Sequence, residues 1–489
     1  MSRRLAQFAA DCGGTLQGVD GDYRGVSTDT RTLARGELFV ALRGPRFDGA
    51  AFVAQAQAAG AAGVVVDAGA AAAIGAAMAP AGVAPGGATL AVDALPRIVV
   101  PDTQLALQQA ANAWRRRFAI PVVGVAGSNG KTTCKEMIAA ILAQAGPVLA
   151  TRGNLNNHIG VPLTLLRLEA AHRHAVIEMG ANRAGDVAEL VRFAQPGVGV
   201  VTNAGAEHLE GFGSLEGVAR AEGEMFAGLD PDGVAIVNAD DEFASLWRSM
   251  TPARLVTFGL GADADFHAVE IATSVGRDGF LTRFALISPQ GRTPVELRLA
   301  GMHNVANALG AAAAAVAAGA TIDAVAAGLA SMRAVPGRLQ FRTVRSGAWV
   351  IDDSYNANPS SMRAGIDVLA GLDGRRWLVI GDMAELGEFA ETSHAQVGRY
   401  AREHGVERLY ATGKLAGIAV ENFGGGARWF PDGESLARTL EAELTGEVRV
   451  LVKGSRMNRL ERVVDAIAPL LVTATGPDRS TPDRSTRTH

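Results

Sequence analysis

Cysteine is almost missing from this chain: Cys12 and Cys134 are the only two in 489 residues. They lie far apart, so neither a disulfide framework nor a cysteine zinc site is expected. Aromatic residues make up 5% and the net charge is −4. An aromatic-rich binding module is therefore disfavoured, and there is no general electrostatic pull toward nucleic acid or an anionic membrane. Lysine is scarce too. Only Lys131, Lys135, Lys414 and Lys453 occur among 46 basic residues, so lysine chemistry is confined to four places. Long apolar runs are also lacking. The uncharged stretch 68–92 is mostly Ala and Gly, interrupted by Pro80 and Pro85. Such residues supply little transfer energy, and a surface insertion is expected rather than a membrane span. The opening MSRRLAQFAADCGG has no apolar core or cleavage site, which predicts a cytoplasmic protein.

What is present is an Ala/Gly-rich chain, 48% hydrophobic, too long for one ordinary core. After a first block to about residue 100, apolar runs alternate with helical stretches: VVGVAG at 122–127, AVIEMG at 175–180, VGVVTNAG at 198–205 and VAIVNAD at 234–240. A third block after Pro336-Gly337 repeats the alternation, with runs at 349–355, 377–383, 408–413 and 448–454. Continuous buried runs separated by helices predict an α/β protein with mainly parallel sheets. Helices are predicted over 102–118, 131–145, 161–168 and the Ala-rich stretch after Asn307. The tail carries PDRST twice and is expected to be disordered.

The strongest local signal is GVAGSNGKTT at 124–133, a strand running through a glycine-rich turn into a helix. Backbone N–H groups from Gly127, Ser128, Asn129, Gly130 and Thr133 can approach phosphate oxygens there, and the helix N-terminus adds positive potential. Lys131 can reach the β/γ-phosphates and the Thr132 hydroxyl can ligate Mg²⁺. Val125 stands where the usual pattern has its first Gly. Lys131 is expected to be solvent-accessible. Glu178 and His208 follow strands, where ligands of open α/β sheets gather. Glu178 suits Mg²⁺; His208 reads as either a ligand or a structural histidine. The amide-rich segment 151–162 reads equally as a phosphate or sugar contact and as a helix-capping loop.

Taken together, GSNGKTT, GNLNNHIGVPLTLL, EMGANRAGD, NAGAEHLEGFGS, GMHNVANALGAA, PGRLQ, DDSYNANPSSM, GDMAELGE and VKGSR resemble the Mur ligases, in family order from about residue 25 to 456. GNLNNHIG and DDSYNANPSSM resemble the branch that adds D-alanyl-D-alanine to UDP-N-acetylmuramoyl-tripeptide. No DNPR-type signature of the neighbouring branch occurs. The resemblance implies three domains: an N-terminal UDP-substrate domain (1–100), a central P-loop parallel-sheet ATPase domain (101–333) and a C-terminal Rossmann-like domain (334–472), before the tail 473–489. It implies ATP and Mg²⁺ as cofactors, a monomer, and no stable membrane insertion. It assigns substrate contacts to Ser27, Arg31, Arg46, Asn154, Asn157, Asn356, Asn358, Lys453 and Arg456, and ATP contacts to Asn304, Arg338 and Asp353. Asn307 is left as a capping or packing residue.

One departure stands out. Family members carry a lysine, carbamylated by CO₂, at the position of Glu222 in VARAEGEMF, and no lysine lies between Lys135 and Lys414. A glutamate offers the same hard oxygens and negative charge on a shorter stem. The implied metal set is Thr132, Glu178, His208 and Glu222, and the implied catalytic set Lys131, His208 and Glu222. Glu222 as a solvated helix residue, or a register slip onto Glu224 or Arg220, is the plain alternative. Two other functions remain open: another ligase of the superfamily such as a folylpolyglutamate synthase, which would lack the segment 25–50, and a P-loop motor or switch.

Overall fold

The computed structural model describes residues 3–44, 47–77, 95–207, 209–276 and 278–469. Arg46, His208, most of the 68–92 stretch and the PDRST tail lie outside the described residues.

Three α/β units follow one another. In the first, five short strands are ordered Thr15–Gln17, Arg97–Val100, Gly63–Asp67, Leu38–Val40, Val26–Ser27, with only the Thr15–Gln17 edge antiparallel. The helix Thr103–Arg115, capped by the Asp102 carboxylate, leads onward. Its buried Ala106, Leu107, Ala110 and Trp114 share one core with Leu5 and Phe8 of the first unit and Val187 and Leu190 of the second. That shared core fuses the first two units.

The second unit is a six-stranded parallel sheet ordered Arg254–Phe258, Val234–Asn238, Val198–Val201, Val122–Ala126, His174–Glu178, Val148–Ala150. Every residue of Val122–Ala126 is buried. Val122 and Ala126 face one core and Val123 and Val125 the other, as a pleat covered on both faces requires. On the second face the helix Lys131–Leu142 packs beside Met302–Ala317, whose Ala311–Ala315 are all buried. Alanine all round lets a helix sink into a core at close range. The helices are somewhat shorter than expected: a 3₁₀ turn ends the first after Leu142, and the predicted 161–168 helix is Gly160–Leu165.

A three-stranded antiparallel sheet, His267–Gly276, Gly279–Ser288 and Gly291–Leu297, was not expected. Near its hairpin tip, Phe280 meets Phe341 edge-on at 5.8 Å, and Phe341 meets Trp349 at 5.4 Å. This aromatic run ties the second unit to the third. The third unit is again six-stranded, ordered Gln340–Thr343, Trp349–Asp353, Val448–Lys453, Arg375–Ile380, Arg408–Thr412, Ala427–Phe430, with one antiparallel edge. Among the described residues no helix is long and apolar enough to cross a membrane.

Candidate active site

The strand Val122–Ala126 ends at Gly127 and the helix begins at Lys131, so the expected glycine turn is in place. Gly127 and Gly130 have φ of +117° and +83°, and a Cβ at Gly130 would lie 2.3 Å from Asn307 Oδ1. Only glycine meets both demands. The N–H groups of Gly127, Ser128 and Asn129 donate within the protein, to Glu222 Oε2 (2.6 Å), the Asn203 carbonyl (2.9 Å) and Asn203 Oδ1 (3.0 Å). The N–H groups of Lys131, Thr132 and Thr133 belong to the first helical turn, which lacks intrahelical acceptors and is where an anion is met.

Lys131 corrects one expectation. Its side chain is only 15% exposed, and the ammonium donates to the Gly127 carbonyl, the Ser128 carbonyl (3.0 Å) and Glu207 Oε1 (3.2 Å). Burial works to lower its pKa, but Glu207, Glu222 and Glu178 outweigh that and hold it above the ordinary value. Glu207 had no signal of its own in the sequence.

Glu178, 2% exposed, closes its strand beside Thr132. Its Oε1 accepts from Asn156 Nδ2 (2.9 Å) and the Thr132 hydroxyl (3.3 Å), while Oε2 is buried without any partner. A buried carboxylate oxygen left bare is costly unless a cation is to meet it. The donors fit Mg²⁺: one carboxylate, a hydroxyl and room for phosphate oxygens. Among the described residues no three His, Cys, Asp or Glu side chains gather as a metal cluster, and His208 lies outside them.

Glu222 is 1% exposed and faces inward from the helix Leu215–Ala227. Burial raises its pKa to about 7, against the pull of Lys131 and the Gly127 N–H. The register is unambiguous. Glu224 instead caps the helix at 186–194 through the N–H groups of Gly185 and Ala188, and Arg220 pairs with Glu216 in solvent. The solvated-residue reading of Glu222 is therefore excluded.

The third unit reaches directly onto the loop. Asn358 Nδ2 donates to Asn129 Oδ1 (2.8 Å), Asn129 Nδ2 donates to Ser360 Oγ (3.0 Å), and Arg338 Nη2 donates to Thr132 Oγ1 (3.4 Å). Both ends of the Asn129 amide are thus taken by the far unit. Asn358 also caps the helix Pro359–Ala370. A cleft of about 400 Å³ runs between the two units, walled by Asn129, Gly130, Asn304 and Asn307 on one side and Arg338, Asp353 and Lys453 on the other. Asn304 donates to the Ala300 carbonyl and accepts from Asn307. Lys453, 3% exposed, donates to Asp353 Oδ2 (2.6 Å) and the Asn356 carbonyl (3.0 Å). The half-buried His303 ring in the same wall has its pKa lowered by desolvation. The Asn356 side chain is exposed. Arg456 is exposed beside Tyr355, whose ring Arg338 covers at 4.5 Å.

The remaining candidates are more scattered. Asn157 acts as a cap, its Oδ1 accepting from the N–H groups of Ile159 and Gly160, and Asn154 is exposed. It is Asn156, not singled out from the sequence, that reaches Glu178. Ser27 bonds within its own turn, and Arg31 pairs with Asp29 in solvent, far from the loop in sequence.

Three family models match: the Mur ligase family, catalytic domain over 22–115, the Mur ligase middle domain over 125–315, and the Mur ligase, glutamate ligase domain over 337–456. The UDP-N-acetylmuramoyl-tripeptide--D-alanyl-D-alanine ligase of Escherichia coli is 44% identical, with 96% of this chain and 98% of that one covered. A UDP-N-acetylmuramoylalanyl-D-glutamyl-2,6-diaminopimelate--D-alanyl-D-alanyl ligase from Acinetobacter baumannii superposes with a TM-score of 0.81 at 33% identity, covering 96% and 98%. A MurF ligase from Thermotoga maritima in complex with ADP gives 0.75 at 27%, covering 91% and 97%. With a glycine turn, a bare carboxylate oxygen and a two-sided cleft in one place, and matches along nearly its whole length, the chain belongs to the Mur ligase family.

Proposed function

We propose that this chain is an ATP-dependent ligase that joins D-alanyl-D-alanine to UDP-N-acetylmuramoyl-tripeptide in peptidoglycan precursor synthesis, acting in the cytoplasm. The observation that carries the reading is the cleft shared by two units: Asn129, Gly130 and Thr133 of the glycine loop, with Asn304 and Asn307, form one wall, and Arg338, Asp353 and Lys453 form the other. Residues 1–100 then hold the UDP end, with Ser27, Arg31 and Arg46 toward it. Residues 101–333 hold ATP and the reacting carboxylate, and 334–472 close over both.

ATP lies along the cleft with its base toward Asn304 and its phosphates on the N–H groups that open the helix at Lys131. The terminal carboxylate of the tripeptide attacks the γ-phosphorus, ADP leaves, and an acyl phosphate forms. The amine of D-alanyl-D-alanine then attacks the acyl carbon, a proton is lost from nitrogen, and phosphate departs as the amide forms. Two anions must meet in the first step, so positioning and charge neutralisation are the main demands. Lys131 exchanges Glu207 and its two carbonyls for phosphate oxygens. Arg338 already touches the Thr132 hydroxyl and follows the γ-phosphate as it moves. Asn358 and Ser360 fix the Asn129 amide, so the loop keeps its shape while the third unit is seated. Thr132, Glu178, His208 and Glu222 would hold Mg²⁺, which when bound neutralises the phosphates and the incoming carboxylate. Glu222 stands in for the family's lysine carbamate as a fixed carboxylate.

A coupled phosphate-release assay tests the reading. A ligase releases phosphate only when both the UDP-tripeptide and D-alanyl-D-alanine are present. Steady release with ATP alone would favour a P-loop hydrolase instead.

A further inference from the structure

Lys131 carries the only positive side chain of the glycine loop, and all of its donors are taken within the protein. An ammonium has three N–H groups. Two are met by the Gly127 and Ser128 carbonyls, and Glu207 Oε1 accepts the third at 3.2 Å. The carbonyls belong to the turn itself, whose N–H groups are already fixed by Glu222 and Asn203. Glu207 is the one acceptor of the three that sits on a rotatable side chain.

The chain delivers Glu207 to that place by a stitched segment. Thr202 Oγ1 and Asn203 Nδ2 both donate to the Asn129 carbonyl (2.6 and 2.9 Å), and the Gly205 N–H donates to Ser128 Oγ (2.8 Å). Residues 202–205 are thus tied to the loop, and Glu207 follows two residues later. Its side chain is 11% exposed, and Lys131 is its only side-chain partner among the described residues. Glu222 and Glu178 also act on the ammonium by charge, but their bonded oxygens are turned elsewhere, to the Gly127 N–H and to Asn156. Of the three acids, Glu207 alone holds Lys131 directly.

A carboxylate and a phosphate oxygen are both anionic acceptors, and one N–H cannot serve both at full strength. A phosphate must therefore take the ammonium from Glu207. The apparent affinity of a ligand falls by the fraction of time its partner is available. We propose that Glu207 is a positioning residue that stores the Lys131 ammonium between turnovers, competes with the phosphates of ATP for it, and takes it back as ADP and phosphate leave. This rests on the reading above only in placing the phosphates of ATP on the loop. An ion pair kept for stability alone has the opposite sign: its loss would loosen the loop and weaken nucleotide binding.

Titration calorimetry of the full chain with ADP and with a non-hydrolysable ATP analogue, each with Mg²⁺, compares the wild type with Glu207→Gln, which keeps the size of the side chain and removes its charge. One charge-assisted hydrogen bond between mostly covered partners corresponds to about tenfold. The variant should therefore bind both nucleotides about tenfold more tightly. Glu207→Ala should act in the same direction, and a cooperative urea transition shows that each variant is folded. A second measurement separates storage from plain repulsion between Glu207 and phosphate. Without nucleotide, acetylation of Lys131, followed by peptide mass spectrometry, should be about tenfold faster in Glu207→Gln, because the same fraction of time off Glu207 governs both. Unchanged or weaker nucleotide binding would overturn the proposal. Tighter binding with Lys131 acetylation unchanged would overturn it too, since repulsion alone gives that result. No nucleotide binding by the wild type would instead overturn the placement of ATP on the loop.

Discussion

Replacing Glu222 by glutamine separates what this residue costs the fold from what it gives the reaction. Its carboxyl is buried, accepts one N–H from Gly127 at 2.6 Å, and has its pKa raised from 4.5 to about 7 by desolvation. The sign follows from proton counting. Between about pH 4.5 and 7 the folded protein keeps a proton that the unfolded chain has released, so stability is fully present below that window and falls as pH rises through it. At about 1.4 kcal/mol per pH unit, the ionised site costs the fold about 3 kcal/mol above pH 7. Glutamine keeps an acceptor for Gly127 and carries no charge. Without nucleotide or Mg²⁺, Glu222→Gln should thus be about 3 kcal/mol more stable than wild type at pH 8 and nearly equal to it at pH 4.5. Hydrogen exchange over Leu215–Ala227 reads this locally, because a three-unit protein need not unfold in one step. The same variant should lose more than about tenfold in ligation, since a loss of even 1.4 kcal/mol from the transition state gives that factor. A pH-independent stability difference, or a variant less stable at pH 8, would refute the burial argument.

Lys131→Ala should abolish ligation by orders of magnitude, because a charge paired with the transferring phosphoryl group is lost. It should also cost roughly 1–3 kcal/mol of stability, since Glu207 loses its partner in a mostly buried place; stopped-assay rates and urea midpoints check the two halves. Activity of the wild type should not respond to bicarbonate, whereas Glu222→Lys should regain activity only when bicarbonate is added; equal rates for that variant with and without it would count against the carbamate equivalence. Three side-chain hydrogen bonds of about 1 kcal/mol each are too few to lock the third unit to the loop. Small-angle scattering should therefore show compaction when ATP analogue and UDP-tripeptide are added together, and identical profiles in every ligand state would argue against closure.

How much of this was readable in the chain differs from place to place. The parallel sheets were legible because both of their faces are covered, which leaves unbroken runs such as VVGVA. The antiparallel sheet was not. His267–Gly276 is half-exposed along much of its length, so its alternation is blurred by polar residues on both faces. The glycine turn, Thr132 and Glu178 are local features of strand ends and could be placed without a structure. Which of three neighbouring asparagines meets Glu178 depends on how the loop turns after Gly153, and no local pattern reports that. The Asn129–Asn358 bond joins residues 229 apart in sequence. Lys131 was expected in solvent because the loop is polar; the acids that enclose it come from two separate segments, Glu207 and Glu222.

The scarcity of lysine has a practical outcome once burial is known. Lys131 is mostly covered, Lys135 and Lys453 are 0% and 3% exposed, and only Lys414, just past the strand Arg408–Thr412, has an exposed side chain. Among the four lysines, all of them in described residues, one is open to an amine-reactive dye, and it rides on the third unit. Lys414 is thus a native lysine address for a fluorescent reporter of that unit's movement, with no engineered cysteine needed. Labelling that appeared at Lys131 as well would show that its ammonium can leave Glu207 on the timescale of the reaction with the dye.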